Sequence, residues 1–343
     1  MEKILFITAT RLGDAVLSTG LLNYLYQTYP KAKVTVACGP VPQSIFEGFP
    51  NVEQIIPLKK QKHCGHWRSL WGQCIGTKWD IIIDLRNSFV SRLLLAKKKY
   101  IYSDHVEYRN EEEAAALKEK FPGVDYLDVR HKVEQAAAVM RLEDVPAPKL
   151  YFTESQEKMA LEYVADKEVV LAVGPTANWI GKTWPAERFV ELIHAVTAPK
   201  GILPNAKVAI FAAPGEEEQA YPVLEALPKD KSIDLIAKTT PGEAAAILSR
   251  CSLYIGNDSG LMHCAAAARI PTFGLFGPSW PHLYRPWGSH AEYVSAPEDF
   301  AVLTDFDGYD PATLDHTLMG TLKVEDALHH LEEFWANNKK EAA

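Results

Sequence analysis

Apolar segments with strand composition alternate with amphipathic segments along the chain, and this alternation restricts the fold more than any other feature of the sequence. Residues 3–9 (KILFITA), 33–38 (KVTVAC) and 79–85 (WDIIIDL) have the apolar, β-branched composition of buried strands. Residues 14–28 repeat leucines at helical spacing on one face. Strands joined through helices pair in parallel, so the pattern predicts an α/β fold built on parallel sheets.

The alternation starts twice. Residues 143–149 (EDVPAPK) form a proline-interrupted linker, and a new strand follows at 168–174 (EVVLAVG). Because 343 residues exceed the usual size of a single core, we predict two doubly wound, Rossmann-like domains facing each other across a cleft, residues 1–148 and 149–343. The final helix, expected over about 323–337, could pack back on the first domain. Ligands in such sheets bind beyond the carboxyl ends of the strands.

The charge balance and the cysteine content exclude several classes of protein. The formal net charge of -8 argues against a general nucleic-acid binder, which needs a basic surface. Five cysteines in a chain of this length do not form a disulfide framework, and they suit the reducing cytosol. No apolar run approaches the roughly 18 residues of a spanning helix, and no secretory leader opens the chain. We therefore expect a cytoplasmic protein without a transmembrane segment.

The segment that begins GNDSGLMH brings an acid, a serine and a histidine close together. A hydrolase triad and a ligand-binding turn both have this composition. The turn is favoured, because Asn257 replaces the first glycine of a nucleophile elbow and His263 follows Ser259 by one helical turn. Asp258, Ser259 and Gly260 then lie where a strand gives way to a helix, and unpaired N–H groups at that position favour an anion.

The segment TRLGDAVLSTG joins the first predicted strand to the first predicted helix. Gly13 permits a tight turn or a close approach of the backbone to a ligand. Asp14 has two interpretations, an N-cap of the helix or a general base that faces the cleft. The segment lacks the glycine patterns of a dinucleotide-binding fold and of a P-loop, which argues against both.

The segment GPTANWIGKTW follows a strand of the second domain. Lys182 could meet a phosphate together with the hydroxyls of Thr176 and Thr183, or it could be a solvated lysine on a loop. A diphosphate site requires this loop and the Asp258 turn to lie together at one edge of the sheet, and we expect them to do so.

Three consecutive acids, Glu216, Glu217 and Glu218, begin the helix that follows the next strand of this domain. Acids in the first turn of a helix complement the helix dipole, and we expect this role for at least two of them. One of the three could instead accept hydrogen bonds from a ribose diol, as acids do after strands of other α/β sheets.

Basic residues gather in the first half of an acidic chain. Arg86, Arg92 and Lys98 indicate either a local anionic partner or an ordinary solvated face. The histidines and cysteines over 63–74 lack the spacing of a zinc site, so no metal site is expected. The other basic residues of this half are Lys59, Lys60, Lys62, Arg68, Lys97 and Lys99.

On these residues the chain resembles glycosyltransferase family 9, the heptosyltransferase family of lipopolysaccharide core synthesis. The resemblance covers nearly the whole length and is carried by RLGDAVLSTGLLNYLYQTYPKAKV, WDIIIDLRNSFVSRLL, KTWPAERFVELI and GNDSGLMHCAAAARIPTFGLFGP. It implies the GT-B fold, with the acceptor on the first domain and the nucleotide-sugar on the second. This implication agrees with the two domains predicted above.

The resemblance also implies an activity, the inverting transfer of a heptose from ADP-heptose to Kdo-lipid A or to a growing core. It implies no metal and no cofactor beyond the nucleotide-sugar donor, and it implies an anionic acceptor at the inner face of the inner membrane. The alternatives are a related transferase or an epimerase that uses another nucleotide-sugar, and a non-catalytic nucleotide-sugar binder.

Roles for individual residues follow from the same resemblance. Asp14 matches the proposed base, Lys182 matches the lysine that contacts the diphosphate, and Asp258 begins the sugar-phosphate turn. The implied donor-binding residues are Thr176, Lys182, Thr183, Glu216, Glu217, Asp258, Ser259, Gly260 and His263. The expected acceptor-binding residues are Gly13, Arg86, Arg92 and Lys98.

Overall fold

The computed structural model describes residues 2–102 and 130–341, with side chains up to residue 338. The chain divides into two compact units, Met1–Tyr151 and Phe152–Ala343. The division predicted at residue 148 lies slightly earlier, inside the first unit. Hydrogen bonds to the side chains of Thr19 and Asn23 hold the last residues of the first unit in place. The Lys149 N–H donates to Thr19 Oγ1 over 3.1 Å, and the Tyr151 hydroxyl donates to Asn23 Oδ1 over 2.8 Å.

Five parallel strands form the sheet of the first unit. They are β1 (Lys3–Ile7), β2 (Lys33–Cys38), β3 (Val52–Pro57), β4 (Trp79–Asp84) and β5 (Ala96–Ile101). Their order in the sheet is β3-β2-β1-β4-β5, so the winding changes direction between β1 and β4. The side chains from Ile4 to Ile7 are all buried, as expected for a central strand covered on both faces. In sheets of this type a ligand binds beside the reversal, at the carboxyl ends of β1 and β4.

The described helices of the first unit are α1 (Leu12–Leu17), α2 (Thr19–Thr28), α3 (Gly65–Cys74), α4 (Phe89–Leu93) and α5 (Lys132–Val139), with 3-10 turns at Val41–Phe46 and Lys62–Cys64. The sequence predicts one helix over 14–28, and the structure divides it at Ser18. The Ser18 and Thr19 hydroxyls donate to carbonyls of the preceding turn, each over 2.7 Å, and Ser18 also shares a hydrogen bond with Thr8. Such hydroxyls bend helices, and here two in succession separate α1 from α2.

Six parallel strands form the sheet of the second unit. They are β6 (Val170–Gly174), β7 (Lys207–Ala212), β8 (Ser232–Ile236), β9 (Leu253–Asn257), β10 (Thr272–Phe276) and β11 (Ala291–Ser295). The order β11-β10-β9-β6-β7-β8 reverses between β9 and β6, whose ends are adjacent because Gly174 pairs with Gly256. The expected ligand position of this sheet is therefore the carboxyl edge of β6 and β9.

The described helices of the second unit are α6 (Glu154–Tyr163), α7 (Ala186–Thr197), α8 (Glu217–Glu225), α9 (Pro241–Leu248), α10 (Gly260–Ala267), α11 (Pro281–Tyr284), α12 (Phe300–Thr304) and α13 (Val324–Glu341). The sequence predicts a loop over residues 278–310. This prediction is wrong, because that range contains α11, β11 and α12. In β11 only Ala291 and Val294 are buried, so this edge strand lacks the continuous apolar run that identifies the inner strands.

The final helix, α13, packs on the second unit. Ala327, Leu331 and Phe334 lie on one face and belong to the core of that unit, where the Phe334 ring is 6.0 Å from the ring of Phe273 on β10. The apolar face of the final helix is therefore used by the core of its own unit. Among the described residues, no helix combines the length and apolar composition needed to cross a membrane.

Candidate active site

Two glycines and one tyrosine shape the carboxyl edge of β6 and β9. Gly174 and Gly256 face each other across the two strands, and a Cβ atom on either would collide with the Tyr254 hydroxyl. The Tyr254 side chain is fully buried and runs towards this edge. Burial raises the pKa of Tyr254, and the nearby Ser259 hydroxyl lowers it by a smaller amount. Tyr254 is therefore a neutral phenol close to the turn that follows β9.

Lys182 and Asp258 form an ion pair at the same edge, with 2.6 Å between Nζ and Oδ2. Lys182 ends a 3-10 turn on the loop after β6, and Asp258 directly follows β9. The lysine side chain is 23% exposed and the aspartate 6%, so the pair is accessible from the lysine side. The prediction that these two segments meet at one edge of the sheet is confirmed. An ammonium has three N–H donors, so two remain for a ligand.

Helix α10 begins at this edge without a side-chain cap. Ser259 has the extended backbone of an N-cap residue, with φ -144° and ψ 170°, but its hydroxyl does not accept from the N–H groups of the first turn. Uncapped N–H groups at a helix start attract anions, so the beginning of α10 adds a second positive group beside Lys182. Gly260 is the first residue of α10, and His263 is buried one turn further along it.

Three buried hydroxyls lie near this edge, and apart from the interaction between Tyr254 and Ser259 they make no hydrogen bond with any described residue. They belong to Tyr254, Ser259 and Ser279. Ser279 lies in the turn after β10, which is the neighbour of β9 in the sheet. A buried hydroxyl with unused hydrogen-bonding capacity is costly, so this group indicates that a polar ligand supplies the missing partners. The sequence analysis missed Tyr254 and Ser279, because neither belongs to a charged motif.

Glu216 is the acid at the start of α8 that reaches this edge. Its Oε2 accepts the Thr176 hydroxyl over 2.5 Å and a backbone N–H over 3.1 Å. Glu217 instead accepts the N–H of Gly215 over 2.7 Å, and Glu218 is exposed. Glu216 is therefore the one of the three acids that reaches this edge. The Thr176 hydroxyl is used by its hydrogen bond to the Glu216 carboxylate.

Two uncharged side chains that the sequence analysis missed hold the loops of this edge. Gln219 accepts the Thr183 hydroxyl over 3.2 Å and a backbone N–H of the loop after β6 over 3.1 Å. Asn257 donates to the Pro175 carbonyl over 2.8 Å and accepts the Trp184 N–H over 3.1 Å. In contrast to the expectation that Thr183 offers its hydroxyl to a phosphate, that group is engaged in holding the loop. Of these two residues, Asn257 could have been identified from the sequence, because it is a polar residue at the end of an apolar strand.

Asp14 lies in the first unit, beyond the carboxyl end of β1. Its interpretation as an N-cap is wrong, because Arg11 has the extended backbone of the cap, with φ -84° and ψ 144°, and Asp14 lies in the first turn inside α1. Gly13 is also a helical residue and does not form the expected tight turn. The half-buried Asp14 carboxylate makes no hydrogen bond or ion pair with any described residue, so it is available to a ligand.

Asp84 organises the turn after β4, the neighbour of β1. It is fully buried and accepts the N–H of Arg86 over 2.8 Å and both the N–H and the hydroxyl of Ser88, over 2.7 Å and 2.5 Å. The Arg86 guanidinium lies 5.2 Å from the centre of the Trp67 ring, in cation–π contact. The sequence analysis missed Asp84, although an aspartate followed by polar residues at a strand end is typical of such a turn.

The other two predicted acceptor residues have different environments. Arg92 donates to Asn87 Oδ1 over 2.7 Å and to the Ser88 carbonyl over 3.2 Å, so its guanidinium is folded onto the turn after β4. Lys98 on β5 is exposed, and it makes no hydrogen bond or ion pair with any described residue. Lys98 therefore offers its whole ammonium to an anionic ligand, whereas Arg92 keeps only the N–H donors that the turn does not use.

The histidines and cysteines over 63–74 are not gathered into a metal site. Cys74 is part of the core, where burial raises the pKa of its thiol to about 11. Cys64 is exposed and has a left-handed backbone with φ 59°. In the described ranges, no three side chains of His, Cys, Asp and Glu stand together as ligands for an ion.

The sequence matches the family model described as Glycosyltransferase family 9 (heptosyltransferase) over residues 67–305, which is more than half of the chain. The chain belongs to glycosyltransferase family 9. It is accordingly a glycosyltransferase. Among its relatives, Lipooligosaccharide heptosyltransferase 2 of Haemophilus influenzae is 25% identical over 309 residues, which cover 85% of this chain and 88% of the relative.

Solved structures of the same family show the same fold. The glycosyl transferase family 9 protein of Veillonella parvula aligns with a TM-score of 0.73 at 20% identity and covers 98% of both chains. The ADP-heptose lps heptosyltransferase II of E. coli aligns with a TM-score of 0.67 at 19% identity, over 99% of this chain and 100% of the other. The predicted fold class, GT-B with two Rossmann-like units, is confirmed.

Proposed function

We propose that this glycosyltransferase moves a heptose from ADP-heptose to an acceptor of the lipopolysaccharide inner core, with inversion at the anomeric carbon. The observation that carries the proposal is the Lys182–Asp258 pair beside the uncapped start of α10, at the reversal point of the second sheet. These are the groups that a diphosphate requires. The similarity to a protein described as an ADP-heptose lps heptosyltransferase supports the choice of donor.

The leaving diphosphate gains negative charge as its bond to the sugar breaks. In this proposal the two remaining N–H donors of Lys182 and the first N–H groups of α10 bind that charge. Asp258 holds the ammonium in place through its 2.6 Å contact, so no reorganisation is needed during the reaction. Because these groups supply the positive charge, we propose a transfer that needs no metal and no cofactor beyond the donor.

The nucleoside part of the donor is assigned to the start of α8. The Oε2 atom of Glu216 is used by Thr176, while its Oε1 atom makes no hydrogen bond with a described residue. A carboxylate oxygen in this position can accept both hydroxyls of a ribose, as acids do after strands of related sheets. Glu216 is therefore the proposed ribose contact, and Ser259 with Ser279 are proposed contacts of the sugar-phosphate.

Asp14 is the proposed base. An acceptor hydroxyl is a weak nucleophile, so its proton must leave as the new bond forms. In the proposed step the acceptor oxygen bonds to the anomeric carbon, its proton passes to the Asp14 carboxylate, and the bond from that carbon to the diphosphate oxygen breaks with its electron pair leaving on ADP. A single displacement of this kind inverts the anomeric centre. Gly13, Arg86, Arg92 and Lys98 are the proposed acceptor contacts, and the acceptor is proposed to lie at the inner face of the inner membrane.

Calorimetric titration with ADP, UDP and GDP, followed by product analysis with ADP-heptose and a panel of truncated core acceptors, tests the proposal. We expect ADP to bind most tightly, one acceptor to turn over, and turnover to persist in a chelator. Tighter binding of UDP or GDP would identify a transferase for another nucleotide-sugar. Isomerised donor without transfer would identify an epimerase, and binding without turnover on any acceptor would identify a non-catalytic binder.

A further inference from the structure

We propose that the first unit docks on an anionic phospholipid bilayer through the α4 surface, which consists of the side chains of Phe89, Leu93 and Leu95 together with the ammonium of Lys99. The proposal rests on exposure and charge at these residues. It is independent of the proposed transfer reaction, so lipid binding and catalysis can be tested separately.

The α4 surface exposes apolar side chains that folding does not require. Phe89, Leu93 and Leu95 are 70%, 54% and 71% exposed, although they lie within seven residues of one another. Val90 and Leu94 from the same segment supply its buried side and belong to the core of the first unit. Large apolar side chains grouped outside the core are typical of a surface that binds an apolar partner.

Basic residues accompany these apolar side chains in the sequence, and among them Lys97 is paired with a described acid, Asp80, over 2.6 Å. Between residues 85 and 103 the sequence carries five basic residues and no acid, in a chain whose net charge is -8. Lys99 on β5 is exposed, and its ammonium donates to the Arg92 carbonyl of α4 over 3.0 Å, so it lies on the α4 side of the sheet and no described acid neutralises its charge. Basic residues beside a membrane are attracted by anionic headgroups, with a gain of about fivefold in partition for each residue near the surface.

The combination fits a bilayer better than a protein partner. The centres of protein–protein interfaces are depleted in lysine, whereas lysine beside leucine and phenylalanine is typical of interfacial membrane segments. The neighbouring helix α3 packs against α4 and exposes Trp71 and Ile75, by 39% and 48%. Tryptophan is enriched at the headgroup level of membranes. Apolar tips would enter the acyl boundary while the ammonium groups stay among the phosphates.

Co-sedimentation of the full chain with vesicles tests this proposal. One set of vesicles contains phosphatidylcholine with phosphatidylglycerol, a second contains phosphatidylcholine alone, and neither contains lipopolysaccharide. The test variant carries Phe89→Ser, Leu93→Ser and Leu95→Ser. The matched control carries Leu161→Ser, Tyr221→Ser and Val302→Ser, whose side chains on the second unit are 48%, 39% and 61% exposed.

We expect binding to the anionic vesicles, a loss of roughly tenfold or more in the test variant, and no loss in the control. Lys99→Gln should weaken binding about fivefold at low salt. ADP binding by the test variant should be unchanged, which separates this result from a failure of the proposed function. Wild-type protein that remains in the supernatant, equal losses in both triple variants, or a dimer that only the test variant disrupts would overturn the proposal. Should the triple variant fail to fold, Leu95→Ser alone gives the same comparison.

Discussion

The Lys182–Asp258 pair places a carboxylate next to the position proposed for a diphosphate, and the burial of each partner explains this arrangement. Asp258 is almost completely buried, whereas Lys182 keeps part of its side chain open. A lysine without the aspartate would be free to turn into solvent, where it would contribute little preorganisation. The aspartate neutralises part of the charge, but it fixes the ammonium at the edge of the sheet. Removal of the lysine alone leaves the aspartate buried without a partner.

Lys182→Met should therefore affect stability and activity together, and a second substitution should separate them. We expect the single variant to lose about 1–3 kcal/mol of unfolding free energy, below the range for fully buried pairs because Lys182 is partly exposed. Transfer should slow by an amount equivalent to about 2–4 kcal/mol, because the leaving group loses its cation. Lys182→Met with Asp258→Asn should regain most of the stability but not the activity. Denaturant unfolding and steady-state kinetics measure the two effects, and recovery of both would assign Lys182 a purely structural role.

Asp14→Asn tests the proposed base with a nearly isosteric change. We expect kcat to fall by roughly 10²–10⁴-fold, because an amide cannot take the acceptor proton. The loss of a charge from the first turn of α1 should cost only about 0.3–1 kcal/mol of stability. Glu187→Gln provides the control, since Glu187 is an exposed acid in the first turn of α7. A folded Asp14→Asn enzyme within a few-fold of the wild-type kcat would remove Asp14 from the mechanism.

At the scale of elements, the site is built from turns that follow parallel strands. The turn between β7 and α8 shows how backbone conformation positions a side chain. Gly215 has φ 93°, in the left-handed region that favours glycine, and this geometry turns the chain so that Glu216 reaches Thr176. The loop after β6 is held by hydrogen bonds from the side chains of Gln219 and Asn257. The turn residues therefore determine which of several similar acids can face a ligand.

Gly215→Ala should disturb this turn. A side chain at φ 93° is strained, so we expect a loss of about 1–2 kcal/mol of unfolding free energy and a several-fold weaker affinity for ADP. Gly320→Ala in the same unit is the matched control, because Gly320 has open space around it and no left-handed backbone. Chemical denaturation and calorimetric titration of both variants measure the effects. Equal behaviour of the two would show that the turn does not position Glu216.

At the scale of the whole molecule, each unit has its own core, and the burial of the cysteine thiols shows how these cores exclude solvent. Burial raises the pKa of Cys38, Cys251 and Cys264 to about 12 and that of Cys74 to about 11. Cys64 is the one cysteine of the five that is exposed. The reactive form of a cysteine is the thiolate, so the four buried groups stay protonated and protected in the folded chain.

We expect a thiol reagent at mildly alkaline pH to modify Cys64 rapidly in the native protein and all five cysteines after denaturation. Cys64→Ser should abolish the rapid phase without changing the number of slow sites. Ellman's reagent monitored by stopped-flow absorbance measures the number of thiols in each phase. A second rapid thiol in the native protein would contradict the burial of these cores.

The sequence by itself determined the two parallel sheets and the meeting of the Lys182 loop with the Asp258 turn. The reason is that apolar strand runs and helical periodicity are local, and parallel strands bring their carboxyl ends to one edge whatever their separation along the chain. Only the tertiary structure decided that Arg11 occupies the N-cap position of α1, that β11 is a strand, and that Glu216 is the acid at the site. These outcomes depend on partners distant in sequence, such as Thr176 for Glu216, forty positions away. The role of the buried Tyr254 hydroxyl likewise becomes visible only when burial is known, because solvation and hydrogen-bond partners are properties of the folded chain.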